Sequence, residues 1–188
     1  MKEVWGIMLV HKVDDEVSLR MFNKDDAGEF YDLTIHSKTY LKEWLGWLDH
    51  IKSVEDTAQN IQSRCRELID NGGYPQSFAI IYNGRIAGTI GFNTIYKANK
   101  MGVVGYWLGE NYQGKGIMSK AFKTLIDYGF TDLKLNRIEV RVAVENRKSR
   151  ALPERFGFME EGRIRQAEWL YDHYVDHVIY GLLANEWK

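Results

Sequence analysis

The sequence predicts an α+β fold, an α/β sandwich in which a mixed, strongly twisted sheet carries helices on both faces. Three strand patterns follow one another over residues 77–109, as in an antiparallel meander. A helical pattern over 117–130 and a strand pattern over 137–144 then complete a β-α-β unit. A meander followed by a β-α-β unit excludes an all-parallel, doubly wound sheet.

The first part of the chain predicts one strand and three helices. Residues 16–22 alternate polar and apolar side chains, as a half-buried strand does. Asn23, followed by Asp25 and Asp26, is a suitable N-cap for a helix over 24–35. The other two helices are 39–48, with Tyr40, Trp44 and Trp47 close to one face, and Ser53 to about Asp70, opened by a Ser53–Asp56 capping box and ended by Gly72-Gly73.

The remainder of the chain alternates strands and helices. The pair Asn83-Gly84 is a strong signal for a type I′ hairpin between the first two strands. Met118, Phe122 and Leu125 share one helical stripe and indicate the main helix of this region. The predicted elements are strands at 77–82, 85–95, 102–109, 137–144 and 174–183, and helices at 117–130 and 147–156.

The composition is typical of one globular domain, which we expect to span residues 1–188. Hydrophobic residues make up 45% of the chain, enough for a sizeable core. Cys65 is the sole cysteine, which excludes an intrachain disulfide and fits a reducing, cytoplasmic location. A net charge of −1 argues against direct nucleic-acid binding. We expect no membrane association, because the sequence has neither a signal-peptide pattern nor a run of about 20 apolar residues.

Residues 105–118 combine a strand, a loop with two glycines and the start of a helix. Glycines let backbone amides approach a ligand, and a helix N-terminus offers unpaired N–H groups with a partial positive charge. The segment therefore predicts a cradle for phosphate or pyrophosphate, the alternative being a tight turn without a ligand. It is not a nucleotide P-loop, and Ser119 stands where Gly-x-Gly-x-x-Gly would have its third glycine.

This loop resembles the coenzyme A pyrophosphate loop of the GNAT superfamily of acetyltransferases, written Gln/Arg-x-x-Gly-x-Gly/Ala. The chain reads Gln113-Gly114-Lys115-Gly116-Ile117-Met118, with Met118 replacing the final glycine or alanine. That departure is similar to the RimJ/RimL branch of ribosomal-protein N-acetyltransferases. Further segments keep the order and spacing of this branch, namely Leu135–Ile138, Asn146–Phe158, Glu160–Gly162, Gln166–Glu168, Asp172–Asp176 and Tyr180. The resemblance implies the GNAT fold.

The resemblance also implies that acetyl-CoA is the co-substrate. In the family, the strand before the loop splays from its neighbour, so that Trp107 and Leu108 would present backbone groups to the pantetheine arm. Residues Gln113 to Met118 would hold the pyrophosphate, with Lys115 either adding a charge or lying in solvent. Asn146 would contact the pantetheine through its amide, cap the next helix, or do both.

Two catalytic side chains are implied as well, and no metal. Many GNAT enzymes protonate the departing thiolate with a tyrosine, but Pro153 holds that position here. Ser149 would contact the thiol and take this role, the alternative being a plain helix-surface serine. Glu168 would accept a proton from the ammonium group of the acceptor, with Glu160 and Glu161 as alternatives. No His-rich or Cys-His cluster has metal-binding spacing.

The predicted reaction is direct acetyl transfer to a primary amine, for which we favour the N-terminal α-amine of a protein, such as a ribosomal protein. The alternatives are a small amine (a polyamine, an aminoglycoside or an amino acid) and a non-catalytic CoA-binding domain on the same scaffold. Tyr40, Trp44 and Trp47 would line an acceptor groove or, as we favour, pack against the sheet. The aromatic content is compatible with a homodimer.

Overall fold

A computed structural model describes residues 10–70 and 73–188. Within them lie eight strands and five α-helices. The strands are β1 (Val10–Lys12), β2 (Val17–Arg20), β3 (Ser77–Tyr82), β4 (Arg85–Tyr96), β5 (Met101–Leu108), β6 (Arg137–Ala143), β7 (Met159–Leu170) and β8 (His173–Leu183). The helices are α1 (Ala27–His36), α2 (Lys38–Leu41), α3 (Val54–Asp70), α4 (Ile117–Thr131) and α5 (Arg147–Arg155). None of the helices in the described ranges is long and apolar enough to cross a bilayer.

All eight strands belong to one mixed sheet, in the order β1-β2-β3-β4-β5-β6-β8-β7. The β5–β6 pair is parallel, and every other neighbouring pair is antiparallel. The β3-β4-β5 meander and the crossover through α4 confirm the predicted order. Asn83 and Gly84 both have positive φ, 47° and 77°, as a type I′ turn requires.

Helices cover both faces of this sheet, as predicted, because successive side chains of a strand point to opposite faces. On β3, Phe78 and Ile80 join a core that includes Phe122 of α4. Ala79, between them, joins a second core that includes Phe30 of α1 and Ile61 of α3. The sheet is therefore buried between α4 on one side and the N-terminal helices on the other.

The predicted helix starts are confirmed by their hydrogen bonds. Asn23 Oδ1 accepts from the Asp25 N–H (2.8 Å) and Asp26 Oδ2 accepts from the Asn23 N–H (2.7 Å), which opens a 3-10 turn that leads into α1. Ser53 and Asp56 form the reciprocal pair before α3. Gly72, one of the predicted cap residues, lies outside the described residues, whereas Gly73 has a φ of +90°.

Three elements differ from the prediction. The helix predicted over 39–48 is wrong, because α2 ends at Leu41 and a short 3-10 turn follows at Leu48–His50. The chain leaves the helix here because the Leu45 carbonyl accepts a hydrogen bond from Tyr171 (2.6 Å) and Gly46 packs against the backbone of Trp169. The structure also adds β1 and makes β7 one strand of twelve residues, bent at Gln166, whose φ is +50°.

Candidate active site

The site begins where the parallel pair of strands separates. β5 and β6 are paired from Met101↔Arg137 to Val104↔Val140 and no further, although β5 continues to Leu108. Trp107 and Leu108 lie in this separated part, as the resemblance implies. Backbone groups on that side of β5 consequently have no strand partner and are available to a ligand.

A cavity of about 920 Å³ opens at this separation. It is bounded by β5, by the loop and first turn of α4, by α5 and by α2. Every residue predicted to bind the co-substrate lines it: Trp107, Leu108, Gln113, Gly114, Lys115, Gly116, Ile117, Met118, Asn146 and Ser149. The volume is that of a ligand site rather than of a packing defect.

The N-terminus of α4 lies open to the cavity. Gly116 is its N-cap, with a φ of +72°, and no side chain caps the helix. Gly114 also has a φ of +72°, and an added Cβ at either glycine would meet no atom within 4 Å. The first turn contains no acidic residue, so its free N–H groups and partial positive charge are left for an anionic ligand.

We expect Gly116→Ala to raise the KM for acetyl-CoA roughly tenfold while changing kcat less. A left-handed alanine costs about 1–2 kcal/mol, and its methyl group would enter the space in front of the α4 amides. Steady-state kinetics with varied acetyl-CoA measure this. Gly84→Ala is the matched control, because Gly84 has a φ of +77° and equally open surroundings but lies in the β3–β4 turn. Equal KM changes in both variants would contradict a role for Gly116 in binding.

The start of α5 holds Asn146 and Ser149. Asn146 is the N-cap, and its Oδ1 accepts from the Ser149 N–H (3.1 Å). Asn146 therefore caps α5, as one of the two predicted uses requires. The NH₂ group of the same amide stays available to a ligand carbonyl. Tyr106 Oη donates to the Ser149 carbonyl (3.0 Å), and burial raises the pKa of Tyr106, so the hydroxyl stays a donor at neutral pH.

A second set of contacts fixes α5 against the sheet. Arg150 Nε donates to Tyr180 Oη on β8 (2.8 Å), and Arg150 Nη1 donates to the Val144 carbonyl just after β6 (3.0 Å). Tyr180 Oη in turn donates to Glu154 Oε1 (2.6 Å). The orientation of Ser149 is therefore set from both sides, since Arg150 follows it directly in the helix.

Aromatic side chains line one part of the cavity, its aromatic end. Tyr40, Trp44 and Leu45 line it, and the ring of Trp47 lies 6.2 Å from that of Trp107. The interpretation that these aromatics only pack against the sheet is therefore wrong for Tyr40 and Trp44. The sequence could not decide this, because both uses require apolar rings in this segment of the chain.

Glu168 lies beside this aromatic end but is not among the lining residues. Its Oε2 is 3.1 Å from His177 Nε2, and a Cβ added at Gly46 would lie 3.7 Å from its Oε1. The Glu168 side chain is 39% exposed. The hydrogen bond from Tyr171 to Leu45 holds the β7–β8 turn against the α2 loop, and so keeps this carboxylate next to the cavity.

The alternative bases are engaged elsewhere. Glu161 forms a two-pronged ion pair with Arg137, which lowers the pKa of Glu161 and makes it a weaker base. Glu160 Oε2 lies 3.3 Å from Arg150 Nη2. Neither glutamate lines the cavity.

The other sequence candidates lie outside the cavity. Asp176 pairs with Arg163, and His173 hydrogen-bonds to Asp172. Across residues 10–70 and 73–188, no three His, Cys, Asp or Glu side chains are grouped as metal ligands. Cys65 Sγ lies 3.7 Å from the Phe22 carbonyl, and burial raises the pKa of its thiol, which makes it a poor nucleophile.

Sequence reasoning missed several residues of the cavity, among them Tyr106, Lys148 and Arg155. Tyr106 is a partly buried residue of β5 between Gly105 and Trp107 and gives no signal of its own. The positions of Lys148 and Arg155 on α5, one before Ser149 and six after it, could have indicated a cationic side of the cavity.

A separated parallel strand pair, an uncapped glycine-rich helix start and a cavity between them make a site suited to a pyrophosphate-bearing ligand. The sequence profile described as "Acetyltransferase (GNAT) domain" matches residues 16–159. The chain belongs to this family. It is an N-acetyltransferase, and its co-substrate is acetyl-CoA.

Three relatives show the extent of the similarity. The Ribosomal-protein-serine acetyltransferase of Escherichia coli (strain K12) is 34% identical over 174 residues, which is 93% of this chain and 96% of the relative. A structure of RimL, the ribosomal L7/L12 alpha-N-protein acetyltransferase, with coenzyme A has a TM-score of 0.87 at 29% identity, covering 93% and 98%. The Microcin C7 self immunity acetyltransferase MccE, solved with acetyl-CoA and AMP, has a TM-score of 0.84 at 31% identity, covering 92% and 94%.

Proposed function

We propose that this enzyme acetylates the N-terminal α-amine of a protein in the cytoplasm, the class of acceptor that the names of its ribosomal-protein relatives give. The observation that carries the proposal is the position of Glu168, whose Oε1 lies next to Gly46 and so beside Trp44 and Leu45 of the cavity lining. An acceptor that enters past Tyr40 and Trp44 would bring its amine between this carboxylate and the separated part of β5.

Glu168 is the base in this proposal. An α-amine is nucleophilic only when neutral, and its ordinary pKa of about 8 leaves most of it charged at pH 7. A carboxylate at the acceptor end can take the proton directly or through one water. The hydrogen bond to His177 restricts the Glu168 side chain and so supports this position.

The remaining steps use β5 and α5. Acetyl-CoA supplies an acetyl thioester as the electrophile. Backbone N–H groups in the separated part of β5 would stabilise the negative charge that develops on the thioester carbonyl oxygen. The Ser149 hydroxyl would hydrogen-bond to the departing sulfur and pass it a proton from solvent, with Tyr106 and Asn146 holding the Ser149 backbone in place.

We expect Ser149→Ala to lower kcat about tenfold with little change in the affinity for CoA. A hydrogen bond to a charged group contributes about 1.5 kcal/mol, which corresponds to about tenfold in rate. Steady-state kinetics at saturating acetyl-CoA measure kcat, and calorimetry measures CoA binding. An unchanged kcat would show that Ser149 is a helix-surface serine without a catalytic role.

A small-molecule acceptor is the second candidate, and one comparison favours it. MccE was solved with AMP as well as acetyl-CoA, and Tyr40 and Trp44 offer flat rings at the acceptor end of this cavity. Aromatic rings stack readily on nucleobases. An aminoacyl nucleotide would then present its α-amine to Glu168 in the same way as a peptide.

An acceptor panel distinguishes the candidates by thiol release from acetyl-CoA. It contains peptides with free Ser or Ala N-termini, their N-formylated forms, a polyamine, an aminoglycoside and a non-hydrolysable aminoacyl adenylate. We expect turnover on the free peptides and none on the blocked ones. Turnover confined to a small amine or the aminoacyl adenylate would mean that the acceptor is a small molecule and not a protein N-terminus. No turnover on any member of the panel would overturn the proposed acetylation of protein N-termini.

We also propose that residues 1–188 form one domain, that the enzyme is a homodimer, and that it makes no direct contact with nucleic acid. Light scattering at micromolar concentration, with and without acetyl-CoA, tests the dimer. A monomer under both conditions would contradict it.

A further inference from the structure

Cations without acidic partners surround the cavity. Lys115, Lys148 and Arg155 line it, and none of its lining residues is Asp or Glu. In the described part of the chain, no carboxylate lies within ion-pair distance of these three side chains. The charge that balances them must therefore come from a ligand or from solvent ions.

Arg155 is the most precisely placed of the three. It is the last residue of α5, and its Nη1 donates to Ser119 Oγ in the first turn of α4 (2.8 Å). The guanidinium is thus held against the positive end of a helix that has neither a side-chain cap nor an acidic residue in its first turn. Two positive groups this close repel each other unless an anion lies between or beside them.

The position along α5 indicates which anion this is. Arg155 is six residues beyond Ser149, about 9 Å along a helix, and therefore lies towards the end of the cavity away from the thioester. Coenzyme A carries two phosphate groups at that end, the diphosphate and the 3′-phosphate of its ribose. The amides of the loop and the α4 N-terminus face the diphosphate in the proposed arrangement, whereas Arg155 stands outside them at an exposed edge.

We propose that Arg155 binds the 3′-phosphate of coenzyme A and that the enzyme thereby distinguishes coenzyme A from its 3′-dephosphorylated form. The guanidinium offers five N–H donors in a planar fork, of which the Ser119 contact uses one. The remaining donors match the geometry of a phosphate. This inference rests on the proposed placement of coenzyme A along the cavity and extends it to a residue outside the family loop.

Calorimetric titration with CoA and with 3′-dephospho-CoA tests the proposal in three proteins: wild type, Arg155→Gln and Arg147→Gln. Arg147 is the matched control, because it lies on the same exposed helix and carries the same charge but does not line the cavity. We expect wild type and Arg147→Gln to bind CoA about tenfold more tightly than dephospho-CoA, as one partly exposed phosphate contact allows. Arg155→Gln should bind both ligands with the affinity that wild type has for dephospho-CoA.

Two outcomes would overturn the inference while leaving the proposed function intact. One is equal affinity of the wild type for both ligands, and the other is an equal loss for both ligands in Arg155→Gln. A wild type that binds neither ligand would instead overturn the placement of coenzyme A itself. A preference for CoA that decreases with rising salt in wild type and is absent at every salt concentration in Arg155→Gln would support the ion pair.

Discussion

Replacing Glu168 with glutamine is expected to lower kcat at pH 7 about a hundredfold or more, the range typical of a lost general base. Glutamine keeps the size of the side chain and can still hydrogen-bond to His177, so the β7–β8 hairpin should not move. The affinity for CoA should stay unchanged, because the carboxylate does not line the cavity. Steady-state kinetics on the preferred acceptor and calorimetry with CoA measure the two quantities.

The pH dependence sharpens this prediction. Above a pH of about 8, the ordinary pKa of an α-amine, most of the acceptor arrives neutral and needs no base. The deficit of Glu168→Gln should therefore shrink as the pH rises from 7 to 9. Glu160→Gln is the control, since Glu160 lies on the same strand and should leave the rate close to that of wild type. If kcat of Glu168→Gln stays lower than that of wild type by the same factor from pH 7 to pH 9, Glu168 has a structural role and does not act as the base.

The second large effect concerns stability. Phe122→Ala should reduce the free energy of unfolding by about 3–5 kcal/mol, the usual cost of removing a fully buried aromatic ring. Phe122 on α4 is 0% exposed, and its ring lies 5.7 Å from Tyr106, 5.3 Å from Phe156 and 5.6 Å from Phe158. It therefore joins α4 to β5, which are two walls of the cavity, and to the segment that follows α5.

Urea denaturation followed by circular dichroism measures the loss. Phe130→Ala provides the comparison, because Phe130 lies on the same helix but is only partly buried. We expect Phe130→Ala to lower the free energy of unfolding clearly less than Phe122→Ala does. If both variants lose the same free energy, the core around Phe122 does not have the importance that its ring contacts indicate.

The second half of the fold was predictable because its signals are local. The Asn83-Gly84 turn and the stripe with Met118 and Phe122 depend on residues close in sequence, and the observed boundaries there differ by one or two positions. β7 was harder, because it is an edge strand with most side chains exposed and a break at Gln166, so it has little alternation to read. The end of α2 depends on the hydrogen bond from Tyr171 to Leu45, which joins residues 126 positions apart.

The site likewise combines residues that local motifs predict with residues that only the fold brings together. The loop from Gln113 to Met118 and the Asn146 cap are local motifs, and the structure places them in one cavity. The proximity of Glu168 to that cavity depends on the contact between the end of β7 and Gly46, which no spacing in the sequence encodes. The link between Arg155 and Ser119 likewise joins two helices that only the fold brings together.

The early end of the β5–β6 pairing after Val104 means that the sheet itself is incomplete without its co-substrate. In the proposed placement, acetyl-CoA would occupy the gap, supply hydrogen bonds that a neighbouring strand would otherwise make, and bind only the folded chain. At a concentration about a hundred times its Kd, such a ligand adds about 2.7 kcal/mol to stability. The stability of the folded enzyme should consequently rise with the concentration of acetyl-CoA.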